Sequence, residues 1–348
     1  VIAERTIDTL DALLPAAGLA DASSFVVVAD AACGPSIERV VRALERTKAP
    51  VHTIILKVEE RLKSLDGLEA LYDRLVADGC DRRAIIVALG GGVVGDLAGF
   101  AAATYLRGIR WIGVPTTLLA AVDSAIGGKT AINHTRGKNL IGAFHQPSLV
   151  VIDRTTFATL PPREIVSGYG EMLKYGLALD KRLWDDLIHI APFAVGDAQI
   201  ERCVARKAAI VSRDEHDLSG AREILNFGHT IAHAIEAVTD YGYYRHGEAV
   251  ILGMRAATFL SAQRGHLAAD DASEIDASLA TIDIPRLPQL DTDALVAAVR
   301  RDKKKSAAGA TRFILLARVG HTVTDDSVTE GAIRESLAFL ERSCASPL

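Results

Sequence analysis

Two uninterrupted apolar runs, Phe25 to Ala29 (FVVVA) and Ala84 to Leu89 (AIIVAL), most constrain what this chain can fold into. Strands with no polar alternation must be covered on both faces, and parallel sheets flanked by helices meet that need. The sequence around the runs supplies the cover. A helical pattern spans Pro35 to Lys48, Val51 to Leu56 reads as a further strand, and Leu68 to Gly79 is helical. Ile109 to Pro115 and Leu149 to Asp153 extend the strand series. Strand, helix, strand at this spacing predicts a Rossmann-like parallel α/β sheet.

After Pro161-Pro162 the character changes. From Arg163 to about Ile282 the pattern is helical, rich in Ala, Leu, Glu and Arg. Asp283 to Leu290 contains prolines and reads as a linker before more helix, and one late strand-like run covers Arg312 to Leu316. We expect an α/β domain over residues 1–155 and a mainly helical domain over 156–348. A length of 348 residues suits two domains, and 49% hydrophobic residues suffice for two cores.

Charge and cysteine usage exclude several classes. A net charge of −5 gives no basic surface for nucleic acid, so any anionic ligand must be held by local cations. Cys33, Cys80, Cys203 and Cys344 are scattered with no CxxC pair, as in a reducing compartment rather than a disulfide scaffold. Glu4, Arg5 and Asp8 stand where a secretory signal needs an apolar core. The uncharged apolar stretches Ala84 to Gly95 and Trp111 to Val122, about a dozen residues each, fall short of the roughly 20 residues that span a bilayer. The expectation is a soluble, cytoplasmic protein with neither a membrane nor a nucleic-acid partner.

Four segments carry chemistry. Gly90-Gly91-Gly92-Val93-Val94-Gly95-Asp96 follows a strand and opens a helix, where glycines admit a pyrophosphate to helix N–H groups. Its spacing matches neither GxGxxG nor a P-loop, and a merely tight turn explains it about as well. Asp123 to Asn139 sets Lys129, Arg136 and Lys138 among glycines and reads as a basic loop able to cradle phosphate; the plainer alternative is a solvated surface loop. His229 and His233 stand at i and i+4 on one helical face and by spacing could share a metal, with His246 and Glu248 downstream and Glu171 and Lys174 at i and i+3 upstream. Lone histidines are usually structural, and His52, His189, His216, His266 and His321 are read so. Lys303-Lys304-Lys305 would ordinarily be a solvated charge run.

Together these segments resemble the 3-dehydroquinate synthases among the sugar phosphate cyclases. The matching stretches are GGGVVGDLAGFAAATYLRG, VPTTLLAAVDSAIGGKTAIN, GKNLIGAFHQP, TLPPREIVSGYGEMLKYG, LNFGHTIAHAIEA, HGEAV and RDKK, in family order from about Gly90 to Gly320. Two departures stand out: Glu59 occupies a position where glycine is usual, and Asp214 to Arg222 is one residue longer than the pattern. The resemblance implies an NAD-binding first domain and a second that binds one zinc or cobalt ion through Glu171, His229 and His246. It moves His233 to the substrate. It further implies that Asp123, Lys174, Lys207, Arg222 and Asn226 line the sugar pocket. Lys129, Asn139, His233 and a lysine of the Lys303-Lys304 pair would hold the phosphate, and Arg107 would complete the pocket of a neighbouring subunit in a homodimer. NAD contacts would come from Asp30, Glu60, Lys63, Gly91, Gly92, Asp96, Thr116, Thr117, Lys138 and Thr159.

The implied reaction converts 3-deoxy-D-arabino-heptulosonate 7-phosphate to 3-dehydroquinate and phosphate. It runs through NAD-mediated oxidation, phosphate elimination, reduction, ring opening and aldol closure. Two related readings use the same parts: a sibling cyclase acting on an amino analogue or on sedoheptulose 7-phosphate, and a metal-dependent polyol dehydrogenase. The dehydrogenase needs no phosphate cradle, which counts against it. A non-catalytic binding subunit would not need every ligand type in place.

Overall fold

A computed structural model describes residues 1–303 and 312–345. By residue contacts the chain divides into two compact units: residues 1–160 together with 207–216, and residues 161–206 together with 217–348. The sequence places a single break after residue 155, and nothing in its periodicity marks 207–216 as a return to the first unit.

The first unit contains α1 (Leu10–Leu13), β1 (Phe25–Asp30), α2 (Pro35–Glu45), β2 (Val51–Leu56), α3 (Leu65–Ala77), β3 (Ile85–Gly90), α4 (Gly92–Thr104) and β4 (Arg110–Pro115). These are followed by β5 (Lys129–His134), β6 (Gly137–Phe144) and β7 (Leu149–Val150). Five strands form a parallel sheet in the order β2-β1-β3-β4-β7. Alternation along the central strands feeds two cores. Val26, Val28, Ile86 and Ala88 pack with Leu71 and Leu75 of α3 and with Val94 and Leu97 of α4. Phe25, Val27, Ile85 and Val87 pack with Val40 and Leu44 of α2 and with Ile7, Leu10 and Leu14. Each such side chain stabilises the fold by roughly 1.5–3 kcal/mol on full burial, which is why FVVVA and AIIVAL carry no polar residue.

Two expectations are corrected here. The strand expected over Leu149 to Asp153 is regular only at Leu149–Val150; Ile152 instead makes an isolated bridge to Ile2, and the Asp153 side chain accepts from the Arg5 and Ile7 amides. The segment Asp123 to Asn139 is not a loop. A π-helical turn over Ala120–Ser124 is followed by the antiparallel β5–β6 hairpin, closed by Thr135 and Arg136. The reason lies in Thr130, Ala131 and Ile132, which are buried and bring β5 against α4. Gly142 permits the strand contact, because a Cβ there would lie 2.2 Å from the Thr130 carbonyl oxygen.

The second unit contains α5 (Pro162–Leu179), α6 (Lys181–Leu187), α7 (Asp197–Val211), α8 (His229–Val238), α9 (His246–Gln263), α10 (Ala269–Ala280), α11 (Thr292–Lys303), β8 (Phe313–Arg318), β9 (His321–Asp325) and α12 (Glu330–Ala345). The last turn of α7 counts with the first unit. The strand-like run expected at Arg312 becomes β8, paired with β9, which the sequence reading missed. Helix α9 is the centre: almost every residue from Gly247 to Ser261 is buried, and α5, α8, α10 and α12 pack against it. Two of those contacts are backbone-close. A Cβ on Gly170 would lie 2.4 Å from the Gly247 carbonyl oxygen, and one on Gly247 only 1.8 Å from that of Ser167. Among the described residues, no helix is long and apolar enough to cross a membrane.

Candidate active site

The close approach of α5 and α9 matters because each glycine sits beside a polar residue. Glu171 follows Gly170, and His246 precedes Gly247. His229 opens α8 after Gly228, whose φ of 78° and 2.7 Å Cβ distance to the Met254 side chain admit glycine alone without strain. Three helices thereby bring one carboxylate and two imidazoles together. Nε2 of His229 and Nε2 of His246 each lie 3.3 Å from Glu171 Oε1, while Lys174 Nζ lies 2.5 Å from Oε2.

Glu171 is fully buried, and neither of its oxygens meets hydrogen-bond geometry. A buried carboxylate flanked by imidazole nitrogens but without hydrogen bonds is a site built for a cation. Burial pushes its carboxyl up, but Lys174, then His229 and His246, overcome this and hold it well below the usual carboxylate range. Burial also lowers His229, against the pull of Glu171. His229 Nδ1 is 3.2 Å from the Phe227 carbonyl oxygen, which can only accept, so the neutral ring presents its Nε2 lone pair toward Glu171. Burial opposes the charged form of His246 as well, yet the adjacent Glu171 and Glu236 carboxylates push it up to about 10. One oxygen and two nitrogen donors within 4.8 Å of one another fit zinc or cobalt.

The pairing of His229 with His233 suggested by spacing is corrected. Their rings are 5.4 Å apart, but among the described residues the metal-capable groups of three are Glu171–His229–His246 and His233–Glu236–His246, and neither contains both. Glu236 was missed from sequence; its signal was its i, i+3 relation to His233. Lys174 is buried, and Arg222, at 5% exposure, lies in the short turn Ala221–Asn226 that leads into α8. Asn226 is exposed at the end of that turn. Lys303 ends α11, and Lys304 lies outside the described residues.

In the first unit the expected nucleotide residues gather at the carboxyl edge of the sheet, where open α/β sheets bind ligands. Parallel pairing sets Ala29 beside Leu89 and Gly90 beside Pro115, so Asp30, Gly91, Gly92, Thr116 and Thr117 follow at one edge. Asp30 accepts from the Ala32 amide, and the Thr116 amide donates to the Gly90 carbonyl. Helix α4 starts at Gly92 with no side-chain cap, leaving its first N–H groups open to an anion. A Cβ on Gly91 would lie 3.2 Å from Thr117, and one on Gly92 3.2 Å from Ser124, so both are fitted closely. A small cavity at this edge is lined by Gly90, Gly91, Pro115, Ser124 and Lys129.

A second cluster gathers beside it. Lys63 is buried and donates to Asp96 at 2.6 Å and to Asn139, whose φ of 56° is left-handed. Burial raises the Asp96 carboxyl despite Lys63. Asn133, unmarked by the sequence reading, donates to Glu60 at 2.8 Å and accepts from the Asn139 amide at 2.9 Å. Glu60, Lys63, Asp96 and Asn139 thus form one network, although the sequence divided them between nucleotide and phosphate. Lys207 donates to the Asp123 carboxylate at 2.7 Å. Lys129 is exposed at the start of β5, Lys138 is exposed on β6, and Thr159 is exposed at the end of a short helical turn. Arg107 is exposed too, and both it and Leu106 hold positive φ, 70° and 51°.

The chain matches the family models for the 3-dehydroquinate synthase N-terminal region over residues 53–167 and C-terminal region over residues 168–305. It is 43% identical over 336 residues to the 3-dehydroquinate synthase of Synechococcus sp., covering 93% of this chain and 90% of that one. Among solved structures it resembles 2-deoxy-scyllo-inosose synthase complexed with carbaglucose-6-phosphate, NAD+ and Co2+, at 29% identity and a TM-score of 0.83, covering 98% of this chain and 96% of the other. It also resembles the 2-epi-5-epi-valiolone synthase of Streptomyces hygroscopicus with NAD+ and Zn2+ bound, at 26% identity and a TM-score of 0.83, with coverage of 98% and 96%.

Proposed function

This chain belongs to the 3-dehydroquinate synthase family, and from that premise we propose that it closes 3-deoxy-D-arabino-heptulosonate 7-phosphate to 3-dehydroquinate with release of phosphate. The observation that carries the choice among cyclases is the identity. It is 43% over 93% of the chain with a named synthase, against 29% and 26% with cyclases that make other rings. The donor set Glu171, His229 and His246 supports a divalent ion, and the glycine edge with its uncapped helix supports NAD.

When bound, NAD would supply reversible hydride transfer and the divalent ion Lewis-acid polarisation of a hydroxyl. The protein's share is placement and charge. Lys174 keeps the buried Glu171 ionised, so the carboxylate is available to the ion. Asp123 is held by Lys207, and we assign both, with Lys174, Arg222 and Asn226, to the sugar. Arg222 offers a planar fork for the substrate carboxylate. Lys129, Asn139, His233 and a lysine of the Lys303-Lys304 pair are assigned to the phosphate, where fixed cations stabilise charge as it departs. The nucleotide is assigned to Asp30, Glu60, Lys63, Gly91, Gly92, Asp96, Thr116, Thr117, Lys138 and Thr159. We further propose a homodimer in which the exposed Arg107, which with Leu106 holds a left-handed backbone, serves the neighbouring subunit.

The test is mass spectrometry of the product formed from the heptulosonate phosphate with NAD in catalytic amount. We expect 3-dehydroquinate and inorganic phosphate with no net NADH. Stoichiometric NADH from a simple polyol, with no phosphate released from the sugar, would place the chain with the polyol dehydrogenases instead.

A further inference from the structure

We propose that Glu236 is the positioning residue that fixes the tautomer and direction of His246 for the metal. His246 belongs to two overlapping groups, Glu171–His229–His246 and His233–Glu236–His246, and its two ring nitrogens divide between them. Nε2 lies 3.3 Å from Glu171 Oε1 and Nδ1 lies 3.1 Å from Glu236 Oε1. An ionised carboxylate can only accept, and a neutral imidazole has one N–H. Metal binding requires the neutral ring, and with its one proton on Nδ1 and directed to Glu236 the lone pair is left on Nε2, facing Glu171 and His229. A carboxylate behind a histidine ligand orients the ring and strengthens it as a donor.

The same geometry argues against a second metal seat at His233, Glu236 and His246. Occupying both seats would require His246 to give up both ring protons, whereas a hydrogen bond to Glu236 requires it to keep one. Helix α8 arranges the division. It places His229 at its first residue and Glu236 seven residues on, two turns along the same face. His229 has its own orienting acceptor in the Phe227 carbonyl, so both imidazoles are fixed from behind, one by backbone and one by Glu236.

This inference rests on the reading of Glu171, His229 and His246 as the metal site, and the experiment separates the two. Metal-stripped full-length protein is titrated with Co2+, following visible d–d absorption and competition with a chelator. Wild type should take one ion per chain, and His246→Ala should lose it. Glu236→Ala should bind one ion about 10- to 100-fold more weakly, with an altered spectrum. Glu236→Gln, which can still accept through its amide oxygen, should fall between. Glu236→Ala with wild-type affinity and spectrum overturns the proposal. So does a drop from two bound ions to one, which would make Glu236 a ligand. If wild type binds no cobalt and His246→Ala matches it, the metal reading itself has failed and this proposal falls with it. Should the Glu236 variants not fold, histidine 15N shifts of the zinc-loaded wild type decide. A proton on Nδ1 of His246 is expected, and one on Nε2 would overturn the assignment.

Discussion

Lys129 and Arg136 show how much a single residue's role depends on where its strand points. Both are exposed cations of one hairpin, but Lys129 opens β5 and lines the cavity at the glycine edge, whereas Arg136 sits in the hairpin turn. Lys129→Ala should lower kcat/KM for the heptulosonate phosphate by roughly 100-fold or more, an electrostatic catalytic donor being worth about 3 kcal/mol. Arg136→Ala should leave it nearly unchanged. A larger loss at Arg136 would reverse the assignment. The cations themselves were legible in the sequence, because charge among glycines is a compositional signal. Their strand placement was not, since Thr130, Ala131 and Ile132 are too short an apolar run to compete with it. Asp325 is a second residue-scale case. It accepts from the Ser327 amide and hydroxyl, His266 and Arg264, and although burial opposes ionisation, these hold its carboxyl well below the ordinary 3.8. A depressed carboxylate contributes stability above its unfolded value and loses it as pH falls. Asp325→Asn should therefore cost about 1–3 kcal/mol at pH 7, and urea titrations should show the gap narrowing as pH drops below 4. A gap independent of pH would mean the interaction is not charge-dependent.

At the level of elements, the site exists because α5 and α9 touch backbone to backbone. Gly247→Ala would force a methyl to within 1.8 Å of the Ser167 carbonyl oxygen, so the helices must part. We expect a loss of about 1–3 kcal/mol or more from overpacking, accompanied by weaker metal binding, because His246 moves with its neighbour. Gly331→Ala in α12 is the control. Its new methyl meets nothing nearer than 3.7 Å, and removing a helical glycine should be neutral or stabilising by about 0.5–1 kcal/mol. Calorimetry with and without cobalt tests both, and normal metal affinity in Gly247→Ala would separate helix spacing from ligand placement. The parallel strands and their helices were legible because burial on both faces leaves continuous apolar runs. The helix contact was not, since a glycine in GYGEM or HGEAV looks the same whether it serves a turn or a crossing. The histidine pair misled for a related reason. Spacing along one helix is visible in sequence, but the partner that arrives from another helix is not.

For the whole molecule, the discriminating behaviour is substrate choice. Arg222 is buried, and a substrate without the carboxylate beside its anomeric carbon forfeits a bidentate charge-assisted contact, worth up to about 3 kcal/mol. Specificity constants should therefore favour the heptulosonate phosphate over sedoheptulose 7-phosphate by up to about 100-fold, with the amino analogue in between. Equal use of sedoheptulose 7-phosphate would move the chain to a sibling cyclase. Light scattering should give twice the chain mass, and a monomer with full activity would remove Arg107 from the scheme. Residues 207–216, which return to the first unit, carry one more implication. Asp123 and the cation that holds it, Lys207, are far apart in the gene and near in space. A chimera that exchanges the first 160 residues between two relatives would transplant the acid and leave its base behind. The heritable module is therefore discontinuous, and recombination that respects it needs two crossovers flanking residues 207–216 in addition to the one near Leu160.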